Sequence, residues 1–98
     1  MKHPYVFTKN ALEDITRHSL YYETVQENLG ERFLSEVTFA AEEISSLPEG
    51  FENRYRNTRE RKVKNFPYKL IYTFEKGIIY VHAVFALKQN PVKKYKNI

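Results

Sequence analysis

The chain predicts an α+β fold of order β-α-α-β-β-β, a helical hairpin packed on a small antiparallel sheet. Three observations carry this. Apolar residues recur at helical spacing up to Leu47, and β-branched and aromatic runs take over from Tyr68. The charge changes sign near the same boundary. Residues 1–53 hold four Lys/Arg against ten Asp/Glu, a balance of −6, and residues 54–98 hold twelve against two, a balance of +10. A sheet that carries the positive half presents a surface to something anionic, either nucleic acid or an acidic protein segment.

Tyr5-Val6-Phe7 is a short first strand. Thr8 or Asn10 then supplies an N-cap, and Asn10 with Glu13 has capping-box spacing. Ile15, Tyr22, Val25 and Leu29 follow near a 3.6 period, and Gly30 is expected to end this helix in a left-handed conformation. Phe33, Val37, Ala40, Ala41, Ile44 and Leu47 form the stripe of a second helix, stopped by Pro48 and Gly50. A strand is expected over roughly 54–64, broken at Phe66-Pro67. Tyr68 to Glu75 and Ile78 to Ala86 read as a hairpin around Lys76-Gly77.

A two-residue turn sets the register of that hairpin. It places Phe74 opposite Ile79, Tyr72 opposite Val81, Leu70 opposite Ala83 and Tyr68 opposite Phe85, an apolar face for the helices. The other face pairs Glu75 with Ile78, Thr73 with Tyr80, Ile71 with His82 and Lys69 with Val84, and is polar enough to bind a partner. Tyr72 is expected to be buried, and Thr73 to tolerate a charge.

Ninety-eight residues make one domain, with a basic tail over about 88–98 that includes Pro91, Lys93, Lys94 and Lys96. Eight Tyr and seven Phe point to a ring-rich core. With no Cys there is no disulfide framework and no thiolate chemistry, which fits a reducing cytoplasm. No stretch approaches the ~18 apolar residues of a membrane span, so a cytoplasmic chain away from the membrane is expected. His3, His18 and His82 stand apart, and Gly30, Gly50 and Gly77 make no phosphate-cradling loop, so neither a metal nor another cofactor is expected.

The remaining candidate is the basic sheet. Arg59 and Arg61 share a face by alternation, with Arg54 and Arg56 earlier on the same strand, and Lys69, Tyr80, His82, Lys88 and Tyr95 are candidates to lie beside them. Arginine forks match phosphate and tyrosine stacks on bases. Metal-free RNA cleavage needs a base, an acid and cations for the charged intermediate. His82 suits the first two roles, and Arg59 or Arg61 the third. The same residues also admit a purely structural reading, with His82 half-buried opposite Ile71 and the arginines solvating an edge strand.

Arg61-Lys62-Val63-Lys64-Asn65-Phe66-Pro67-Tyr68-Lys69-Leu70-Ile71-Tyr72 resembles the RelE/ParE superfamily of plasmid-stabilisation toxins from type II toxin–antitoxin pairs. Leu47-Pro48-Glu49-Gly50, the Ala11–Asp14–Ile15 helix start, and Ile79 to Phe85 running into Lys88-Gln89-Asn90-Pro91 extend the resemblance over almost the whole chain. It implies a cytoplasmic toxin that arrests growth and is neutralised by a co-expressed antitoxin. Some members cut messenger RNA in the ribosomal A site; others poison DNA gyrase without nuclease activity. Nuclease members carry an arginine just after the last strand, where this chain has Lys88-Gln89, and a Tyr or His near the C-terminus, a place Tyr95 fills only if the tail folds back. The Phe-Pro-Tyr corner and the Asn-Pro ending favour the ParE-like branch and a gyrase-type target. The alternatives are a RelE-type ribosome-dependent endonuclease and a non-toxic decayed member.

Overall fold

A computed structural model describes residues 2–88. The order is β1 (Tyr5–Phe7), α1 (Lys9–Val25), α2 (Leu29–Ser46), β2 (Glu52–Tyr55), β3 (Thr58–Lys62), β4 (Tyr68–Glu75) and β5 (Ile78–Ala86). The strands form one five-stranded sheet in the order β1-β5-β4-β3-β2, covered by the helices. The expected α+β class and the helical hairpin are present. Two features of the strand topology differ from the sequence reading. The strand expected over 54–64 is a hairpin, because Arg56 turns the chain at a φ of 54°. The sheet is mixed, because β1 lies parallel to β5. Among the described residues no helix is long and apolar enough to cross a membrane.

Thr8 is the N-cap of α1, accepting a hydrogen bond from Ala11 N, so the Asn10 alternative falls inside the helix. Gly30 does not end α1. The helix stops at Val25, and the left-handed residue of the connection is Asn28, with a φ of 70°. Gly30 is instead buried in the first turn of α2, where a Cβ would stand 2.6 Å from Ser19 O. Its lack of a side chain lets the helices approach. Glu23 completes the join, accepting from Asn28 N and Gly30 N at 3.0 Å each. A carboxylate is well placed at those unpaired amides.

The core lies between the helices and the sheet. Phe33, Val37, Ala40, Ala41 and Ile44 of α2 meet Val63, Tyr68, Leu70, Tyr72, Ile79, Val81 and Val84. A ring cluster closes one end, with Phe33 within 5.4 Å of Tyr22, Phe66 and Tyr68 between centroids. Edge-on and tilted packing of this kind adds to the gain from burial.

The β4–β5 register follows the expectation from Glu75↔Ile78 to Tyr72↔Val81, then shifts by one residue. A β-bulge leaves His82 unpaired, and pairing resumes with Ile71↔Ala83, Leu70↔Val84, Lys69↔Phe85 and Tyr68↔Ala86. The expected pairs of Leu70, Tyr68, Ile71 and Lys69 are all wrong for this reason. The shift turns Val84 towards the helices, where it is 1% exposed, and Phe85 to the far face. α1 braces the bulge: Val84 N donates to Asp14 Oδ2 at 3.1 Å and Thr8 Oγ1 donates to His82 O at 3.3 Å.

Tyr72 is buried as expected, and its hydroxyl donates to Pro48 O at 2.6 Å. Burial pushes that phenol's pKa up to about 12, against an opposing pull from Arg59. Thr73 does face the other way, but it is 3% exposed, so its expected tolerance of a charge is corrected.

The bulge contact yields a test. Asp14→Ala leaves a buried Val84 N–H without a partner and is expected to cost about 1–3 kcal/mol in urea unfolding. Asp14→Asn keeps an acceptor at this position and should cost less. Equal losses for the two variants would mean that the carboxylate does not hold the bulge.

Candidate functional site

Cross-strand pairing assigns each candidate to a face of the sheet. Arg59 lies opposite Tyr72 and Arg61 opposite Leu70, so both point to the side the helices cover. Thr58, Glu60 and Lys62 point the other way, opposite Thr73, Ile71 and Lys69. The expectation that Lys69, Tyr80 and His82 lie beside the arginines is therefore corrected. They occupy the far face, because the hairpin at Arg56-Asn57 sets the alternation of β3.

On the helix side, both arginines are engaged with the chain itself. Arg59 Nη1 donates to Phe51 O at 2.8 Å and to Glu49 O at 3.2 Å. Arg61 donates from Nε and Nη2 to Glu43 Oε1 at 3.1 and 2.9 Å, with its guanidinium 4.8 Å from the Phe51 ring centroid. Together with Tyr72 on Pro48 O, they clamp the connection between α2 and β2. Beyond Arg61 opens a groove of about 530 Å³ lined by Phe39, Glu43, Arg61, Lys62, Val63, Lys64 and Asn65. It has one exposed apolar anchor, Phe39, above the fully buried Val63, and a cationic rim, and its one carboxylate is already paired with Arg61.

The far face has a different chemistry. Lys69 Nζ lies 3.1 Å from Glu60 Oε1, and the Glu60 side chain is 1% exposed. His82 Nε2 is 2.9 Å from Thr73 Oγ1. Burial holds the His82 pKa below the usual histidine range, with Glu75 pulling the other way. Tyr80 is partly exposed beside this pair, its ring tilted at 6.5 Å from His82. Ile71 and Thr58 at the centre are buried, so this face is less open than the alternation alone implies.

The other candidates fall apart from these. Arg56 sits in the β2–β3 turn, 5.2 Å from the Tyr55 ring centroid, Arg54 belongs to β2, and Lys88 is exposed after β5. Tyr95 and the basic tail beyond Lys88 lie outside the described residues. Among the described residues, no group of three His, Cys, Asp or Glu side chains is placed to hold a metal.

Sequence reasoning missed His18. Its Nδ1 is 3.0 Å from the Tyr68 hydroxyl, and its Nε2 is buried without a partner. The ring stands 4.6 Å from Tyr68 and 6.2 Å from Phe33 between centroids. Burial first and Arg17 second lower its pKa, against a raising effect of Asp14. An imidazolium needs two acceptors, and Nε2 has none. A lone histidine at a helical core position was the available signal.

The family model described as ParE toxin of type II toxin–antitoxin system, parDE, matches residues 5–91. Among solved structures, a chain from the chromosomal ParDE TA system of P. aeruginosa aligns at a TM-score of 0.78 and 9% identity, covering 89% of this chain and 98% of that one. The isolated E. coli RelE toxin aligns at a TM-score of 0.53 and 14% identity, covering 96% of this chain and 94% of that one. At such identities the likeness is one of fold. No curated protein matches this chain significantly.

Two outcomes follow from the site geometry. Arg61→Ala removes a paired guanidinium and its stacking on Phe51, and should destabilise the fold by about 1–2 kcal/mol, discounted for partial exposure. Arg61→Lys should recover only part, since a point charge cannot copy the fork. The histidines give a pH dependence. Folded-state pKa values of His18 and His82 lie below that of the unfolded chain, so the unfolded chain binds more protons as pH falls. Their contribution is complete above pH ~6.5 and is lost below it as pH approaches the folded values. Melting midpoints should drop from pH 7.5 to 5, and His18→Phe should flatten the slope. An unchanged slope in that variant would remove His18 from this account.

Proposed function

Because this chain belongs to the ParE toxin family of type II toxin–antitoxin systems, we propose that it arrests growth as a non-nuclease inhibitor. It binds an essential cytoplasmic protein, with DNA gyrase the first candidate, and a cognate antitoxin neutralises it. The observation supporting this reading is that the sheet lies between the candidate charge stabilisers and the candidate general base. Arg59 and Arg61 are on the helix side, whereas Lys69, Tyr80 and His82 are on the other. A phosphate under attack must be touched by base and cation together. Lys88 is a point charge where a planar fork would clamp phosphate, which agrees with the same reading.

The groove beside Arg61 suits the antitoxin. Phe39 offers an apolar contact, and Lys64, with Lys62 at the end of β3, offers charges for acidic side chains. Arg56 in the neighbouring β2–β3 turn extends the cationic field that steers such a segment. On the far face, Lys69 and Tyr80 remain for contact with the inhibited target.

Growth arrest with transcript 5′-end mapping tests the mechanism. Intact transcripts with an induced DNA-damage response are expected. Ribosome-phased cleavage abolished by His82→Gln or Arg61→Ala would establish the RelE-type endonuclease instead, and normal growth would establish a decayed member. The antitoxin reading has its own measurement. Association with the acidic partner should slow as ionic strength rises, and Lys62→Glu with Lys64→Glu should reduce the on-rate about 10-fold or more at low salt. An on-rate independent of both would place the antitoxin elsewhere.

A further inference from the structure

β1 forms one edge of the sheet. Ile79 N donates to Pro4 O and Thr8 N donates to Val81 O, both at 3.0 Å, so the even-numbered backbone groups of this segment face β5. Alternation turns the N–H and C=O of Tyr5 and Phe7 outward. Among the described residues no backbone group pairs with them. The opposite edge, β2, carries the usual protections: charged Glu52 and Arg54, and a bulge between Asn53 and Tyr55. β1 has no charge and no bulge, and Val6 at its centre is 48% exposed.

We propose that β1 docks a second copy of this chain, paired antiparallel about a two-fold axis at Val6. The self-complementarity of the strand selects this occupant. An axis at Val6 sets Tyr5 of each copy opposite Phe7 of the other. The outward N–H of each then meets the outward C=O of its opposite, and no outward group on β1 is left over. Side chains agree with this pairing. Tyr5 and Phe7 already stand edge to face at 5.7 Å on the helix side, and the second copy extends them into cross-strand aromatic pairs. On the other side Val6 meets Val6 at the close, non-hydrogen-bonded position. The ladder is bounded alike in both copies, by Pro4 at one end and by the start of α1 at the other. Lys2 at the border is paired with Glu42, which limits repulsion between the copies. The product is one continuous sheet of double width with both helical layers on the same side. Three residues a side bury less than the ~1,000 Å² of a stable interface, so the dimer is weak and reversible, with a Kd on the order of 10–100 µM.

Sedimentation across a concentration series, with amide exchange at each concentration, tests this on the full chain alone. Expected are a concentration-dependent dimer and amides of Tyr5 and Phe7 that exchange more slowly as it forms. The Val6 amide, bonded within the monomer, stays protected throughout. Val6→Lys and Val6→Glu should each weaken dimerisation at least 10-fold with an unchanged melting midpoint, and mixing the two variants should restore it. The proposal fails if the chain is monomeric throughout, or if it dimerises with an affinity indifferent to Val6→Lys. It also fails if exchange at Tyr5 and Phe7 does not follow concentration. If those amides slow only when a different protein is added, the edge serves that partner and not a second copy. Growth arrest and the salt dependence of antitoxin association are read without this dimer, so the dimer and the proposed function stand or fall separately.

Discussion

The hydrogen bond from Val84 N to Asp14 Oδ2 governs much of the rest of the structure. β1 ends at Phe7, opposite Val81, so no strand flanks the far half of β5 on that side, and a buried amide there cannot be left without a partner. The carboxylate from α1 supplies it and so fixes the helix over the far half of β5. Everything beyond the bulge follows from that register. Val84 enters the core, Ala86 lines it opposite Tyr68, and Phe85 is sent to the far face. Thr8, six residues earlier, caps α1 and holds His82 O, so the start of the helix and the bulge are fixed together.

The charge split in the chain has a corresponding logic. A strand of arginines beneath an acidic helix need not be an anion site. Arg61 meets Glu43, and Arg59 meets the carbonyls of Glu49 and Phe51. Part of the positive excess of the second half is thereby spent inside the molecule. Lys62 and Lys64 on the groove rim are left for partners. Arginine in this strand is a support for the Leu47–Phe51 connection, and its presence alone does not mark phosphate chemistry.

Most of the architecture was legible because period and composition agree with it. The two helices, the Lys76-Gly77 turn and the burial of Tyr72 all follow from spacing. Gly30 misled because glycine serves two purposes, a left-handed stop and a close approach, and only the position of Ser19 O decides between them. The Arg56-Asn57 turn was hidden because no glycine marks its positive φ. The bulge was invisible because an extra residue in a strand leaves no periodic trace until Asp14 is seen to reach it. For the same reason the two faces of the candidate site were merged: a turn and a bulge each reassign the side chains that follow them.

The parallel pairing of β1 with β5 carries a consequence for synthesis. The helical hairpin and the β4–β5 hairpin are local and can form as soon as they emerge. Tyr5 to Phe7, however, must wait for Ile79 to Val81, so β1 is seated only after everything between them has been made. Until then the apolar β1 sequence is carried as loose chain, with aromatic surface uncovered. A nascent molecule of this design completes its sheet only once β5 has left the ribosome, and the ribosome, more than the helices, sets when its folded surfaces first exist.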